Sequence, residues 1–230
     1  LMSSGLLNNL VDMEDYLRGV IDKEMGYDAP MAALEAQAVA SRSYAYVNLD
    51  VGASYDVSAT TASQVYGGYD AEVGTNGAKV VEAVENTADL VMYYENDNGA
   101  YELVEGVYHA HAGGYTENSE NVWGGEGAPY LKAVVSPYDT TGPAAHNQWQ
   151  VTYTGEEITN LVNQYKNNRN ISGDFGSFTS MEVSYDNRIG GGVTASGRAT
   201  KVVVNGTKGQ LTVYRDDIRS LLNLKSTLFT

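Results

Sequence analysis

Residues 14–46 read "EDYLRGVIDKEMGYDAPMAALEAQAVASRSYAY" and decide the character of the first part of the chain. Apolar side chains recur at helical spacing through residues 10–25, which predicts an amphipathic helix; they are Leu10, Met13, Leu17, Val20 and Ile21. "GYDAP" interrupts this pattern, so we expect Asp28 to cap a second helix with Pro30 in its first turn. That helix is rich in alanine and is predicted to continue to about Leu49.

From about residue 55 the sequence takes on the character of strands and turns. Two hairpins are predicted, one over residues 90–110 with its turn at Asn98-Gly99 and one over "TKVVVNGTKGQLTVY". Helices are predicted over "EEITNLVNQYKN" and "RDDIRSLLNL". No Pro/Gly-rich linker divides the chain. We therefore predict an α+β fold, with N-terminal helices packed on mostly antiparallel strands, as a single domain over residues 1–230 with a substrate groove.

The amino-acid composition and net charge exclude several classes of binding partner. A net charge of −15 argues against nucleic acid and against anionic lipid, because both need a basic protein surface. The absence of cysteine excludes disulfides and thiolate metal sites. Eighteen tyrosines against three phenylalanines suit sugar-binding grooves as well as protein interfaces. No run of eighteen apolar residues occurs, and the start has no signal-peptide pattern, so a removed N-terminal membrane anchor is left open.

Glu24 extends the apolar stripe of the first helix by one step. It follows Val20 by four residues and Leu17 by seven, on the face expected to point inward. A carboxyl group held against apolar neighbours has its neutral form favoured, as a general acid requires. The alternative is a frayed, polar helix end with Glu24 in solvent.

Arg42 occupies the less polar face of the second helix, four residues after Ala38 and eight after Leu34. A buried arginine needs carboxylate or carbonyl partners. It could therefore pair with an acid such as Glu24, contact a ligand, or extend to solvent at the helix edge.

His109 and His111 belong to "YHAHAGGYTENSENVWGG" and would share one face if residues 103–111 formed a strand. This spacing can bind zinc, but the third ligand would have to be Glu117 or Glu102. Histidines that line a groove as hydrogen-bonding groups are the preferred interpretation. Gly113-Gly114 predicts a sharp turn with close backbone approach, and Thr116 and Glu117 could simply satisfy that turn.

Four ordered blocks resemble the stage II sporulation protein D family, which includes amidase-enhancer proteins. They are the stretch quoted first, then "DVSATTASQVYGG", "YHAHAGGYTENSENVWGGEGAPYLKAVVSPYD" and "IRSLLNLKSTLF", and they span roughly residues 14–228. The resemblance implies a lytic transglycosylase that cuts peptidoglycan between N-acetylmuramic acid and N-acetylglucosamine during engulfment in sporulation. It implies Glu24 as the acid/base and no cofactor. The implied substrate-binding residues are Gln37, Arg42, Gln64, Tyr66, Gly113, Gly114, Tyr115, Thr116 and Glu117, and His109 and His111 are expected to line the same groove.

The chain also departs from the family pattern. Ser58, Ala62 and Ser63 stand where some members carry zinc ligands, so no metal is expected there. Ala110 and Ala112 replace residues that often bear hydroxyl groups, and Glu35 replaces a common lysine. These changes put affinity and activity in question without touching Glu24. Because a cation close to Glu24 would oppose its role as an acid, we expect Arg42 to contact substrate or another acid.

Three functions follow from these observations. The first is the transglycosylase, facing the cell wall outside the cytoplasm, with peptidoglycan glycan strands as its partner. The second is a non-catalytic glycan-binding protein that enhances a cell-wall amidase. The third is a structural partner in a membrane–wall complex, alongside other engulfment proteins. An inward-facing Glu24 favours the enzyme, because a binding module gains nothing from a desolvated acid.

Overall fold

The computed structural model describes residues 2–3, 6–73, 77–140 and 148–230. They divide into two compact units, the first ending at His109 and the second beginning at Ala110. Helices and antiparallel strands occur in both, so the α+β prediction is confirmed. The single domain over residues 1–230 and its substrate groove stay predictions.

Three helices form the core of the first unit: α1 (Met13–Met25), α2 (Met31–Val47) and α3 (Gly77–Asn86). Their apolar stripes meet in one cluster of fully buried side chains, which contains Leu17, Ile21, Leu34, Ala38, Val80, Ala83 and Val84. A 3-10 turn over Gly68–Glu72 lies against α1. Helix α3 was not predicted, although Val80, Ala83 and Val84 have helical spacing.

Two predicted details at the helix ends are wrong. The first helix begins at Met13, because Asp12 caps it by accepting a hydrogen bond from the Glu14 amide at 3.0 Å. Leu10 therefore lies outside the stripe and is exposed. The second helix has Pro30 at its N-cap position with no side-chain cap, so Asp28 does not cap it.

Two short hairpins complete the first unit. Strands β1 (Met2–Ser3) and β2 (Leu6–Leu7) pair antiparallel. The hairpin predicted around Asn98-Gly99 is confirmed as β3 (Tyr93–Glu95) and β4 (Tyr101–Leu103). Its turn is held by the Asn96 side chain, which accepts hydrogen bonds from the amides of Asn98 and Ala100.

The second unit is built on an antiparallel sheet in the order β5 (Phe178–Ser184), β6 (Lys201–Gly206) and β7 (Gln210–Tyr214). Helices α5 (Gly155–Asn168) and α6 (Asp217–Leu222) contribute to the same core as its strands. Both helices and the β6–β7 hairpin were predicted. A capping box between Thr154 and Glu157 begins α5.

A short helix, α4 (Ser119–Val122), and a 3-10 turn over Pro137–Thr140 precede these elements. In the part of the chain that the model describes, no helix is long and apolar enough to cross a membrane.

Candidate functional site

Glu24 lies in the last turn of α1 and is half-buried. Its Oε1 accepts a hydrogen bond of 3.0 Å from the backbone amide of Val65, 41 residues further along the chain. Val65 belongs to the "QVY" block, so two of the blocks recognised in the sequence meet at this carboxylate. The sequence analysis did not identify Val65, because a contribution from a backbone amide leaves no side-chain signal.

Tyrosine side chains surround Glu24. Burial is the main cause that raises the pKa of Tyr108 to about 12; the hydrogen bond from Gln64 opposes this shift, and the negative charge of Glu24 adds to it. Burial also raises the pKa of Tyr16, with Tyr108, Tyr44 and Glu24 as further causes. Both phenols therefore remain protonated at neutral pH, and Tyr108 can donate a hydrogen bond near the carboxylate.

Gln64 holds these two phenols in place. Its side chain is fully buried; Oε1 accepts from the Tyr16 hydroxyl at 3.0 Å, and Nε2 donates to the Tyr108 hydroxyl at 3.2 Å. Nε2 also approaches the carbonyl of Ser41 at 3.4 Å. Because the amide has no exposed surface, we place Gln64 in the support of the site and not among its ligand contacts.

The "QVYGG" segment packs directly on α1. Tyr66 is half-buried and stacks on Tyr16, with ring centroids 5.4 Å apart and an interplanar angle of 23°. Gly19 makes this possible, since a Cβ there would lie 2.4 Å from the Tyr66 ring. The Gly67 amide donates to the Gly19 carbonyl at 2.8 Å and anchors the segment.

Arg42 is a buried structural residue. Its guanidinium is fully buried, donates to both oxygens of Glu14 at 2.8 and 2.6 Å, and donates to the Leu90 carbonyl at 3.0 Å. The expected acid partner is thus Glu14 and not Glu24. Of the two expectations for Arg42, contact with substrate or with another acid, the structure shows the second, and the side chain has no exposed surface.

Gln37 and His109 occupy less enclosed positions in the first unit. Gln37 is half-buried and donates to the Ser41 hydroxyl at 3.0 Å. His109 is exposed. Residues 104–111 form no strand, so the geometry that would have placed His109 and His111 on one face is absent. Strand β4 ends at Leu103 because its pairing with β3 ends there.

His111 and the double glycine lie in the second unit. The Gly113 amide donates to Nδ1 of the half-buried His111 at 3.1 Å, while Nε2 faces Asp139 at 3.5 Å. Gly113 and Gly114 have φ values of +68° and +100°, which confirms the sharp turn. Tyr115 follows this turn and is 38% exposed.

Thr116 and Glu117 are engaged within the second unit. The Thr116 hydroxyl accepts from the Val134 amide at 2.8 Å. Glu117 accepts from the Asn118 amide and from the side chains of Asn121 and Ser196. The alternative in which these two residues satisfy the local turn is therefore the one that the geometry favours.

Three of the positions that depart from the family pattern form hydrogen bonds within the chain. Glu35 accepts from Asn86 at 2.9 Å, and the Ser58 amide donates to the Ser63 hydroxyl at 3.2 Å. Among the described residues, no three histidine, aspartate or glutamate side chains gather as metal ligands.

The tertiary structure thus unites Glu24, Gln64 and Tyr66 with Tyr16 and Tyr108, which the sequence analysis missed. Tyr16 had a readable signal, since it precedes Val20 by four residues and Glu24 by eight on one helix face. Tyr108 had none, because it lies in an irregular segment.

Two segments of the chain match known protein families. Residues 3–94 match the family model described as stage II sporulation protein. These residues therefore form a domain of the stage II sporulation protein family. The family predicted from the sequence is therefore confirmed, and the tyrosine-lined carboxylate of Glu24 falls within the matched region. Residues 137–230 match a second model, described as a domain of unknown function.

The relatives carry names connected with sporulation and with an amidase. The chain is 37% identical over 142 residues to an amidase enhancer of Bacillus subtilis, which covers 62% of this chain and 17% of that protein. It is 32% identical over 147 residues to stage II sporulation protein D of Bacillus amyloliquefaciens, covering 58% and 41% respectively. The chain spans less than half the length of these relatives.

Proposed function

We propose that this member of the stage II sporulation protein family is a peptidoglycan lytic transglycosylase with Glu24 as its single acid/base. The observation that carries the proposal is the setting of Glu24, half-buried, bonded to the Val65 amide at 3.0 Å and surrounded by protonated tyrosines. Perturbed groups that cluster around one carboxyl group are typical of a catalytic site.

The proposed reaction needs one carboxyl group. Glu24 gives its proton to the oxygen that links N-acetylmuramic acid to N-acetylglucosamine, and the bond from that oxygen to the anomeric carbon breaks. The resulting carboxylate accepts the proton of the muramic acid 6-hydroxyl as O6 bonds to the same carbon. The products are a 1,6-anhydromuramoyl end and a free N-acetylglucosamine hydroxyl, and no water is consumed. Most glycoside hydrolases need a second carboxylate, and the hydrogen bond described for Glu24 comes from a backbone amide and not from a second carboxyl group.

The neighbours of Glu24 suit this cycle. The Val65 amide points at Oε1 and stabilises the negative charge that appears when the proton leaves. The Tyr108 oxygen accepts from Gln64, so its own proton is available to Glu24 or to the sugar. Because burial and Glu24 keep this phenol protonated, Tyr108 serves as a donor and not as a base.

Further substrate contacts are proposed on each unit separately. In the first unit they are Gln37, Tyr66 and His109, of which Tyr66 offers an aromatic face of the kind that stacks on sugar rings. In the second unit they are His111, Gly113, Gly114 and Tyr115, at a turn that permits close approach of a ligand to the backbone. Arg42 and Gln64 are fully buried and stabilise the site without contacting the substrate.

The setting of the reaction is also proposed. Family membership and the names of the relatives support a role in sporulation, which we place at the cell wall outside the cytoplasm during engulfment. A cell-wall amidase and other engulfment proteins are proposed partners. Attachment to the membrane through a segment before residue 1 belongs to the same proposal.

The second candidate function is a non-catalytic glycan-binding enhancer of a cell-wall amidase, which the amidase-enhancer relative favours. Mass spectrometry of peptide-free glycan strands, incubated with the native chain and with Glu24→Gln, separates the two. Anhydro-ended fragments from the native chain alone support the transglycosylase. Reducing ends would show hydrolysis, and intact strands retained by both proteins would leave the enhancer.

A further inference from the structure

A cavity of about 340 Å³ in the second unit is lined by three basic side chains, Arg188, Lys201 and Arg215. It uses none of the residues proposed for glycan binding or catalysis. We call it the basic pocket. All three basic residues lie within the match to the domain of unknown function, whose description names no ligand.

The sheet builds one wall of the basic pocket. Lys201 pairs directly with Ser184 of β5 and with Tyr214 of β7, so the three side chains share one face of the sheet. Val202 and Val213, the next residues inward, are buried in the core on the opposite face. The strand pleat therefore directs Lys201 and Tyr214 away from the core and into the pocket.

Two arginines of the basic pocket approach one point. A Cβ added at Gly124 would lie 2.0 Å from Nη1 of Arg215 and 3.6 Å from Nη1 of Arg188. Like charges so placed repel each other, and an anion that bridges them removes the repulsion. Guanidinium groups suit this task, because each offers a planar fork to a carboxylate or phosphate.

These cations lack the partners that basic residues have elsewhere. Counting only the described residues, the side chains of Lys201 and Arg215 make no hydrogen bond or ion pair, and the Arg188 guanidinium donates only to the Gly125 carbonyl, at 3.1 Å. Lys132, by comparison, pairs with Glu120. The chain contains 29 acidic and 14 basic residues, so acidic partners for these cations are plentiful. A group of basic side chains that still has no acidic partner indicates a binding site for an external anion.

Arg215 is also held in an unfavourable backbone conformation. Its φ of +58° is in the left-handed region, which costs free energy for an arginine and suits glycine or asparagine. The Arg215 amide donates to the Thr200 carbonyl, and its carbonyl accepts from Ile218, so the strain lies at the junction of β7 and α6. Strain at a side chain without a structural partner is typical of a functional position.

The acidic groups of the basic pocket narrow the ligand class. Glu120 is paired through both oxygens with Lys132, at 3.1 and 3.0 Å, which leaves Asp186 as the free carboxylate. Inorganic phosphate would leave the Asp186 carboxylate without a cationic ligand group, whereas a peptide with a carboxylate and an amine satisfies both signs of charge.

We propose that the basic pocket binds the carboxylate of a short peptide, with Arg188, Lys201 and Arg215 as the anion contacts and Asp186 facing a peptide amine. This proposal rests on the proposed function, because the peptide would come from peptidoglycan, which carries such peptides on its muramic acid residues. The pocket would then distinguish peptide-bearing strands from bare glycan.

Calorimetric titration of the full chain with the tripeptide L-alanyl-γ-D-glutamyl-L-lysine tests the proposal. The free acid should bind, and the same peptide with amidated carboxyl groups should bind at least tenfold more weakly. Arg215→Asn should weaken binding by tenfold or more while leaving Tm unchanged or raised, because asparagine tolerates the left-handed backbone. Arg219→Gln is the matched control, since Arg219 is an exposed arginine already paired with Asp216.

Several outcomes would overturn the proposal: equal binding of the amidated peptide, binding of inorganic phosphate but not of the peptide, no binding by either, or unchanged affinity in Arg215→Asn. The tripeptide contains no sugar, and the transglycosylase test uses strands without peptides. Failure of one experiment therefore leaves the other interpretable.

Discussion

Glu14 and Arg42, 28 residues apart, form a two-point ion pair in which the guanidinium is fully buried and the carboxylate is 24% exposed. The pair joins the first turn of α1, the helix that carries Glu24 and Tyr16, to α2. Its geometry therefore bears on the stability of the proposed site more than on its chemistry.

Glu14→Ala should destabilise the chain by about 3–5 kcal/mol, because it leaves the Arg42 charge buried without its carboxylate. Asp15→Ala is the control, since Asp15 forms an exposed pair with Arg18 at 2.9 Å that should contribute no more than about 1 kcal/mol. Urea unfolding followed by circular dichroism gives both values. Equal losses for the two variants would contradict the importance assigned to the buried pair.

Gly19→Ala should destabilise the chain by about 1–3 kcal/mol, although alanine is the better helix former, because its Cβ would collide with the Tyr66 ring. In a Tyr66→Ala background the same substitution should cost much less or become stabilising. Thermal unfolding of the four proteins of this double-mutant cycle measures the coupling. Additive effects would show that Tyr66 is not what Gly19 accommodates.

Tyr108→Phe should reduce formation of anhydro ends by about 10²-fold or more, because it removes a hydrogen-bond donor beside Glu24. The Gln64 amide would also lose the hydroxyl that accepts from it at 3.2 Å, so activity must be normalised to the folded fraction. Tyr101→Phe, at a tyrosine that is 70% exposed, should retain full activity. Activity unchanged in Tyr108→Phe would remove this phenol from the proposed mechanism.

Glu120 should contribute to acid sensitivity. Burial opposes its charge, but hydrogen bonds from its own backbone and from Lys132 outweigh burial and hold its pKa below the ordinary value of 4.5. A lowered native pKa gives stability that is fully present above pH 4.5 and is lost as the pH falls through the native value.

Glu120→Gln should therefore flatten the stability profile below pH 4.5 relative to the native chain. Lys132→Gln should do the same, because it removes the cation that favours the charged form. Thermal unfolding across pH 3 to 7 would show the effect in both variants. A profile that stays parallel to that of the native chain would contradict the role given to this pair.

Local periodicity was sufficient to predict the helices that carry Glu24 and Arg42, the β3–β4 and β6–β7 hairpins and the α+β class, because amphipathic stripes and turn residues are local signals. It also placed Glu24 toward the protein, since Leu17, Val20 and Glu24 share a helix face. The predicted start of the first helix at Leu10 was wrong because Asp12 caps that helix instead. The predicted cap at Asp28 was wrong because the second helix has Pro30 at its N-cap position.

The sequence by itself predicted helices α1 and α2, the resemblance to the stage II sporulation protein family and the proposed acid. Only the tertiary structure decided the surroundings of that acid: the Val65 amide lies 41 residues away from it, and Tyr108 lies in an irregular segment after β4. It also assigned Arg42 to Glu14 and gathered Arg188, Lys201 and Arg215 in one pocket. Such partners are chosen by how distant segments pack, and no local repeat in the sequence encodes that packing.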